Sequence, residues 1–189
     1  MNFKFNFKYV FILVLGLTVF SCKKDDPTPI DETPTQQNLT ENYNSEVPRE
    51  WINLYMDIEK DLPGFRPAAT SRALAYIWMA AYEAALPGIP DFVSLDSKFN
   101  GLIVPDFTND VTKYNWSIAV NAAIANTMDH MMPVANTAQK GLIKDLESQL
   151  NASLKNNVSQ EIFTNSQEWG RLVAEAINTY ADTDVEGVN

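Results

Sequence analysis

The sequence predicts an all-α fold, a bundle of about five helices behind a signal peptide and a disordered tether. Three observations carry this. Apolar residues recur at spacings of three and four along five separate stretches, the mark of one buried helical face. The run Ala73 to Tyr82 carries no charge on any side, as a helix surrounded by protein does. No stretch of useful length alternates apolar and polar residues in the manner of a strand.

The first helix opens near Val47-Pro48, where proline is well placed. Trp51, Leu54, Tyr55 and Ile58 form its apolar face, and Pro63-Gly64 ends it. The second runs from Pro67 to about Leu86 and is expected at the centre of the bundle. A long connection without clear period follows, from Pro87 to about Val111; ordered connections of this length often carry function. The third helix is expected over Thr112 to Met132, with Trp116, Ala119, Val120, Ala123, Ile124, Thr127 and Met131 buried, and Pro133 stops it. The fourth runs from Thr137 to Leu154 on a line of Leu142, Leu146, Leu150 and Leu154. The fifth runs from Ser159 to Tyr180, its face built from Phe163, Ser166, Gly170, Val173, Ala174, Ile177 and Tyr180. A glycine inside a helix costs about 1 kcal/mol against alanine, so Gly170 marks a close helix crossing.

The chain has 189 residues, of which 46% are hydrophobic and 20% charged, a globular composition. Its 14 Lys+Arg against 24 Asp+Glu give a net charge of −10. Phosphate contacts need clustered cations, so nucleic acid is not an expected partner. One Cys excludes an internal disulfide and a Cys-rich zinc site, and one His excludes a centre built from several imidazoles within this chain.

That one cysteine has a distinctive setting. Lys4 and Lys8 precede an apolar run from Tyr9 to Phe20, too short for a comfortable bilayer span, which reads as a secretory signal over residues 1–21. Val19-Phe20-Ser21-Cys22 then resembles a bacterial lipobox, with an aliphatic residue three before the Cys and a small one just before it. Lys23-Lys24-Asp25-Asp26 resembles the surface-export signal of some Gram-negative lipoproteins. Lipidation at Cys22 is therefore expected, with anchoring in the outer membrane or at the cell surface of a Gram-negative bacterium. Cleavage before Cys22 removes two of the 14 cations and leaves the 24 acids, a charge of −12, so lipid and not charge provides the anchoring. Residues 22–46, with Pro27, Pro29 and Pro34 among polar residues, form the tether. The helical domain spans 47–184, and 185–189 are expected to be a truncated end.

The run Phe65-Arg66-Pro67-Ala68-Ala69-Thr70-Ser71-Arg72-Ala73-Leu74-Ala75, continuing to Met79-Ala80-Ala81-Tyr82-Glu83-Ala84, resembles the start of the bacterial vanadium-dependent haloperoxidase family, within the type 2 phosphatidic acid phosphatase superfamily. The tryptophan-bearing helix with Trp51, the Ala-rich helix ending at Pro133, and Gly170, Val173, Ala174, Ile177, Asp182 and Asp184 follow in the family's order. Glu83 stands where the family more usually has Asp. The resemblance covers residues 47 to 184. It implies a fold of which this is the N-terminal helical half. Downstream it implies a catalytic half that holds vanadate or a phosphoryl group with Lys-(six residues)-Arg-Pro, Pro-Ser-Gly-His and Ser-Arg-(five residues)-His motifs.

Those motifs are not in this chain. Lys60 and Arg66-Pro67 are separated by five residues, and the position six after Arg72 is Trp78, not His. A one-residue shift turns a helical side chain by about 100°. Catalytic, cofactor-binding and metal-binding residues are accordingly expected nowhere here, and vanadate only in a full-length parent. Arg72 is expected to pair with Glu83 or Asp61, His130 to sit as a cation near a helix C-terminus, and the four tryptophans to be core. Glu83 and Asp129 are the one candidate carboxylate pair for metal or acid/base work.

Two functions follow. One is the non-catalytic helical portion of a membrane-anchored haloperoxidase-like or acid-phosphatase-like protein, whose missing C-terminal half is its partner. Apolar surface at Met128, Met131, Trp169 and Val173 is then expected to lie open for that half. The other is a complete small surface lipoprotein that binds a protein partner or glycan. A homo-oligomer is compatible with both.

Overall fold

The computed structural model describes residues 38–64 and 67–184. The signal segment, Cys22, most of the tether, Arg66 and the end piece 185–189 lie outside the described residues. Among those described, five α-helices are present and no strand: α1 Glu46–Glu59, α2 Pro67–Ala85, α3 Trp116–Met131, α4 Thr137–Lys155 and α5 Gln160–Thr183. The fold is all-α, as the periodicity predicts. None of these helices is long and apolar enough to cross a membrane.

The α1 face is Val47, Trp51, Tyr55 and Ile58, all buried. Past its end the chain turns through Gly64 at φ +74°, a conformation that favours glycine. Expected boundaries shift at α3. Asp110 caps a separate 3-10 turn, Val111–Lys113, by accepting from the Thr112 amide. Asn115 then caps α3 anew through the Ile118 amide, so the helix starts at Trp116 and not at Thr112. A capping box between Asn136 and Gln139 starts α4, and Ser159 caps α5.

The bundle is built around α3, which packs against the other four helices. This corrects the expectation that α2 is central: α2 leaves Ala75 exposed and Trp78 and Met79 partly so, whereas α3 buries even Asn121 and Thr127. Asn121 earns its place by hydrogen bonding. Its Oδ1 accepts from Trp51 Nε1 at 2.8 Å, and its Nδ2 donates to the Glu147 carbonyl at 3.2 Å and to Asn151 Oδ1 at 3.0 Å, joining α1, α3 and α4. Against α5, the small residues Ala119 and Ala122 meet Gly170, the crossing that glycine was expected to mark. The α4 seam is also corrected: Ile143 and Leu150 are buried, Leu146 and Leu154 partly so, and Leu142 is exposed.

Residues 38–45, expected in the tether, pack on the bundle. Asn38 Nδ2 donates to the carbonyls of Val111 and Tyr114, its own carbonyl accepts from Trp116 Nε1, and Thr40 Oγ1 donates to the Ala85 carbonyl. Nothing in the local sequence marks these contacts, because they join residues more than forty positions apart.

Candidate functional site

Two arrangements carry the polar chemistry at the end of the bundle where α5 terminates. Arg72, early in α2, donates through Nη2 to the Ala181 carbonyl at 2.6 Å, and its Nε lies 3.4 Å from Asp184 Oδ2. Tyr76, one helical turn on, donates its hydroxyl to the same Asp184 oxygen at 2.8 Å, and the guanidinium lies 5.0 Å from the Tyr76 ring centroid. Burial, with the bonded Asp184 carboxylate second, pushes the Tyr76 hydroxyl up to about 12. The partner of Arg72 is thus Asp184, not Glu83 or Asp61. Beside this clamp, His130 in the last turn of α3 meets Asp182 Oδ1 with its Nε2 at 2.9 Å. Asp182, in the last turn of α5, and Asp184, just past its end, therefore fasten that helix, one to α3 and one to α2.

The cations that an oxyanion centre would need to gather are dispersed. Arg49 lies beside Glu50, Arg171 binds Glu147 at 2.6 Å, and Lys60 binds Asp57 at 3.1 Å. Among the described residues no group of three His, Cys, Asp or Glu side chains is placed to hold a metal ion. Glu83 and Asp129 do not form a pair. Glu83 lies at the end of the bundle where α3 begins, near which Gly88 touches Trp116. Asp129 is roughly 20 Å further along α3, where it meets Lys140 at 3.2 Å.

Glu83 is buried and holds down the long connection instead. Its Oε1 accepts from the Leu95 amide at 2.6 Å and from Ser94 Oγ at 3.2 Å. Burial pushes its carboxyl above the ordinary range, and these two bonds pull the other way. Further along the connection, Phe107 inserts between Tyr114, Trp116 and Trp169, with ring centroids 4.9, 5.8 and 5.0 Å away. Trp169 in turn donates to the Ala84 carbonyl at 3.0 Å.

A well-formed concavity lies where residues 40–48 cross α2 and the start of α3. It holds about 310 Å³ and is walled by Tyr43, Val47, Trp78, Tyr82 and Trp116, with Ser117 among the polar groups. Among the described residues no charged side chain lines it. The polar atoms of three of its aromatic walls are already engaged: Tyr43 donates to Asn38 Oδ1, Tyr82 to the Val93 carbonyl, and Trp116 to the Asn38 carbonyl. Carbon surface is what these rings offer a ligand, so the site suits an uncharged, largely apolar group. The periodicity treats Trp78 and Trp116 as core; Trp116 is core, but Trp78 is half-buried at this cavity.

The surface expected to lie open on α3 and α5 is closed. Met128 and Val173 are fully buried, Trp169 is 5% exposed and Met131 6%. The exposed large apolar residues concentrate on the long connection, at Phe92, Val93, Phe99 and Ile103. Comparison with family models, curated proteins and solved structures finds no match.

Proposed function

We propose that this bundle is the structural, non-catalytic helical portion of a membrane-anchored protein of the vanadium haloperoxidase or acid phosphatase type. Lipid on Cys22 holds it at the outer membrane or cell surface, and vanadate or a phosphoryl group is bound by a half encoded downstream. The observation that carries this reading is the role of Arg72. It stands in the Ser-Arg-Ala-Leu-Ala run that resembles the family, and its guanidinium ties α2 to the end of α5 through Ala181 and Asp184. A guanidinium committed to a carbonyl and a carboxylate organises a scaffold; it does not receive an oxyanion. The test is the coding DNA beyond Asn189. An open frame containing Pro-Ser-Gly-His supports the proposal, and a stop codon directly after Asn189 contradicts it.

The aromatic cavity favours a second reading, a small surface lipoprotein that binds a partner or glycan. Ring faces with their polar atoms turned into the protein suit stacking against sugar C–H groups or apolar side chains. Under this reading Trp78→Ala abolishes binding to cell-surface glycans while leaving the fold intact. Equal binding by that variant contradicts it.

A further inference from the structure

We propose that the aromatic cavity is a docking site for the chain's own proline-bearing segment, Pro27-Thr28-Pro29-Ile30. The inference goes beyond both readings above, because it places the occupant within this chain.

The cavity's donors point to the kind of ligand. The indole N–H groups of Trp51, Trp116 and Trp169 each have an acceptor. Trp78, half-buried at the cavity, is the remaining tryptophan, and among the described residues nothing accepts from its Nε1. Ser117 Oγ, on the same wall, also has no partner there. A ligand that brings acceptors and carbon therefore completes the site. Proline brings both: it carries a carbonyl and no N–H, and its ring packs flat on aromatic faces. Proline-rich chain also leaves its carbonyls free of internal hydrogen bonds.

Charge and reach select this segment. Pro27 to Ile30 is uncharged, as the cavity lining is, and is bounded by Asp26 and Asp31. Eight residues separate Ile30 from Asn38, a reach of up to about 26 Å. Asn38 is fixed by Trp116, which also walls the cavity, and Thr40 belongs to that wall. The segment is thus linked to the rim of the cavity with slack to turn back into it. Such a linkage gives it a local concentration on the order of millimolar.

Docking also sets how far the bundle stands from a membrane, on the reading that Cys22 carries lipid. Sixteen residues from Cys22 to Asn38 span up to about 53 Å, whereas five from Cys22 to Pro27 span up to about 17 Å.

The test uses the full chain in phospholipid nanodiscs, labelled with 5-fluorotryptophan and followed by fluorine NMR. The Trp78 signal is identified by its loss in Trp78→Phe. A variant combining Pro27→Ser, Pro29→Ser and Ile30→Ser alters no residue of the bundle, and its circular dichroism is expected to match the parent. Its Trp78 signal is expected to shift. A synthetic peptide of residues 25–36 should then restore the parent position, saturably. The same peptide should bind the parent at least about tenfold more weakly, because the linked segment competes. An unmoved Trp78 signal in the variant, or equal peptide affinity for the two chains, would overturn the assignment. So would a parent signal that changes on dilution, which marks a second copy's segment as occupant. A saturable shift with maltohexaose and none with the peptide would overturn it in favour of a glycan.

Discussion

A Cβ placed on Gly170 strikes the carbonyl oxygen of Ala119. The two helices at the heart of the bundle are therefore in backbone contact, and the absent side chain permits it. Gly141, on α4, has nothing within 4 Å of the same position. These two glycines make opposite predictions. Gly170→Ala is expected to destabilise by about 1–3 kcal/mol, because backbone cannot step aside as a flexible side chain can. Gly141→Ala is expected to stabilise by about 0.5–1 kcal/mol, since it restricts the unfolded chain without a clash. Denaturant melts of the two variants check both signs.

The Trp51–Asn121 bond predicts a cost of a different kind. In Asn121→Ala the indole N–H of Trp51 and the Glu147 carbonyl lose their shared partner inside the bundle. Destabilisation of about 1–3 kcal/mol is expected for the buried donor alone. Trp51→Phe in the Asn121→Ala background should cost less than the two single changes added together, which a double-mutant cycle measures.

Glu83 predicts a pH dependence. Its folded-state pKa is raised by burial, so between the unfolded and folded values the native state holds a proton that the unfolded state has released. Stability contributed by this group is therefore present below the unfolded carboxyl pKa and declines as pH rises through the window up to the folded value. Glu83→Gln keeps an acceptor for the Leu95 amide and removes the titration. Its stability, followed by denaturant melts across the acid range, should lack the part of the decline that the parent shows there.

The legible part of this molecule was what local chemistry writes into a helix. The face of α1, the helical course of α2 and the crossing at Gly170 all follow from spacing and residue size. Three things did not. The start of α3 depends on Asp110 and Asn115 making two caps in succession, and such caps are ambiguous until the backbone between them is known. The central place of α3 was obscured because Asn121 looks like a surface residue; it is buried because Trp51, Glu147 and Asn151 supply its bonds. Arg72 reaches the Ala181 carbonyl, 109 residues away, and Asp184 just past it, beyond any periodicity argument. The same is true of the aromatic cavity, whose walls come from separate elements.

Anchoring rests on Cys22. The full chain should incorporate labelled fatty acid and fractionate with membranes, and Cys22→Ala should lose the label and move to the soluble fraction or remain held by an uncleaved signal. Absence of label from the parent chain contradicts the lipoprotein reading.

The central claim is that these helices form a scaffold and not a reaction centre, and turnover tests it most directly. The 189-residue chain, supplied with vanadate, is assayed for bromide oxidation by peroxide and, without vanadate, for phosphomonoester hydrolysis. Rates equal to the protein-free background in both assays are the predicted result. Turnover above background that disappears in His130→Ala would contradict the scaffold reading and the structural role of the His130–Asp182 pair together.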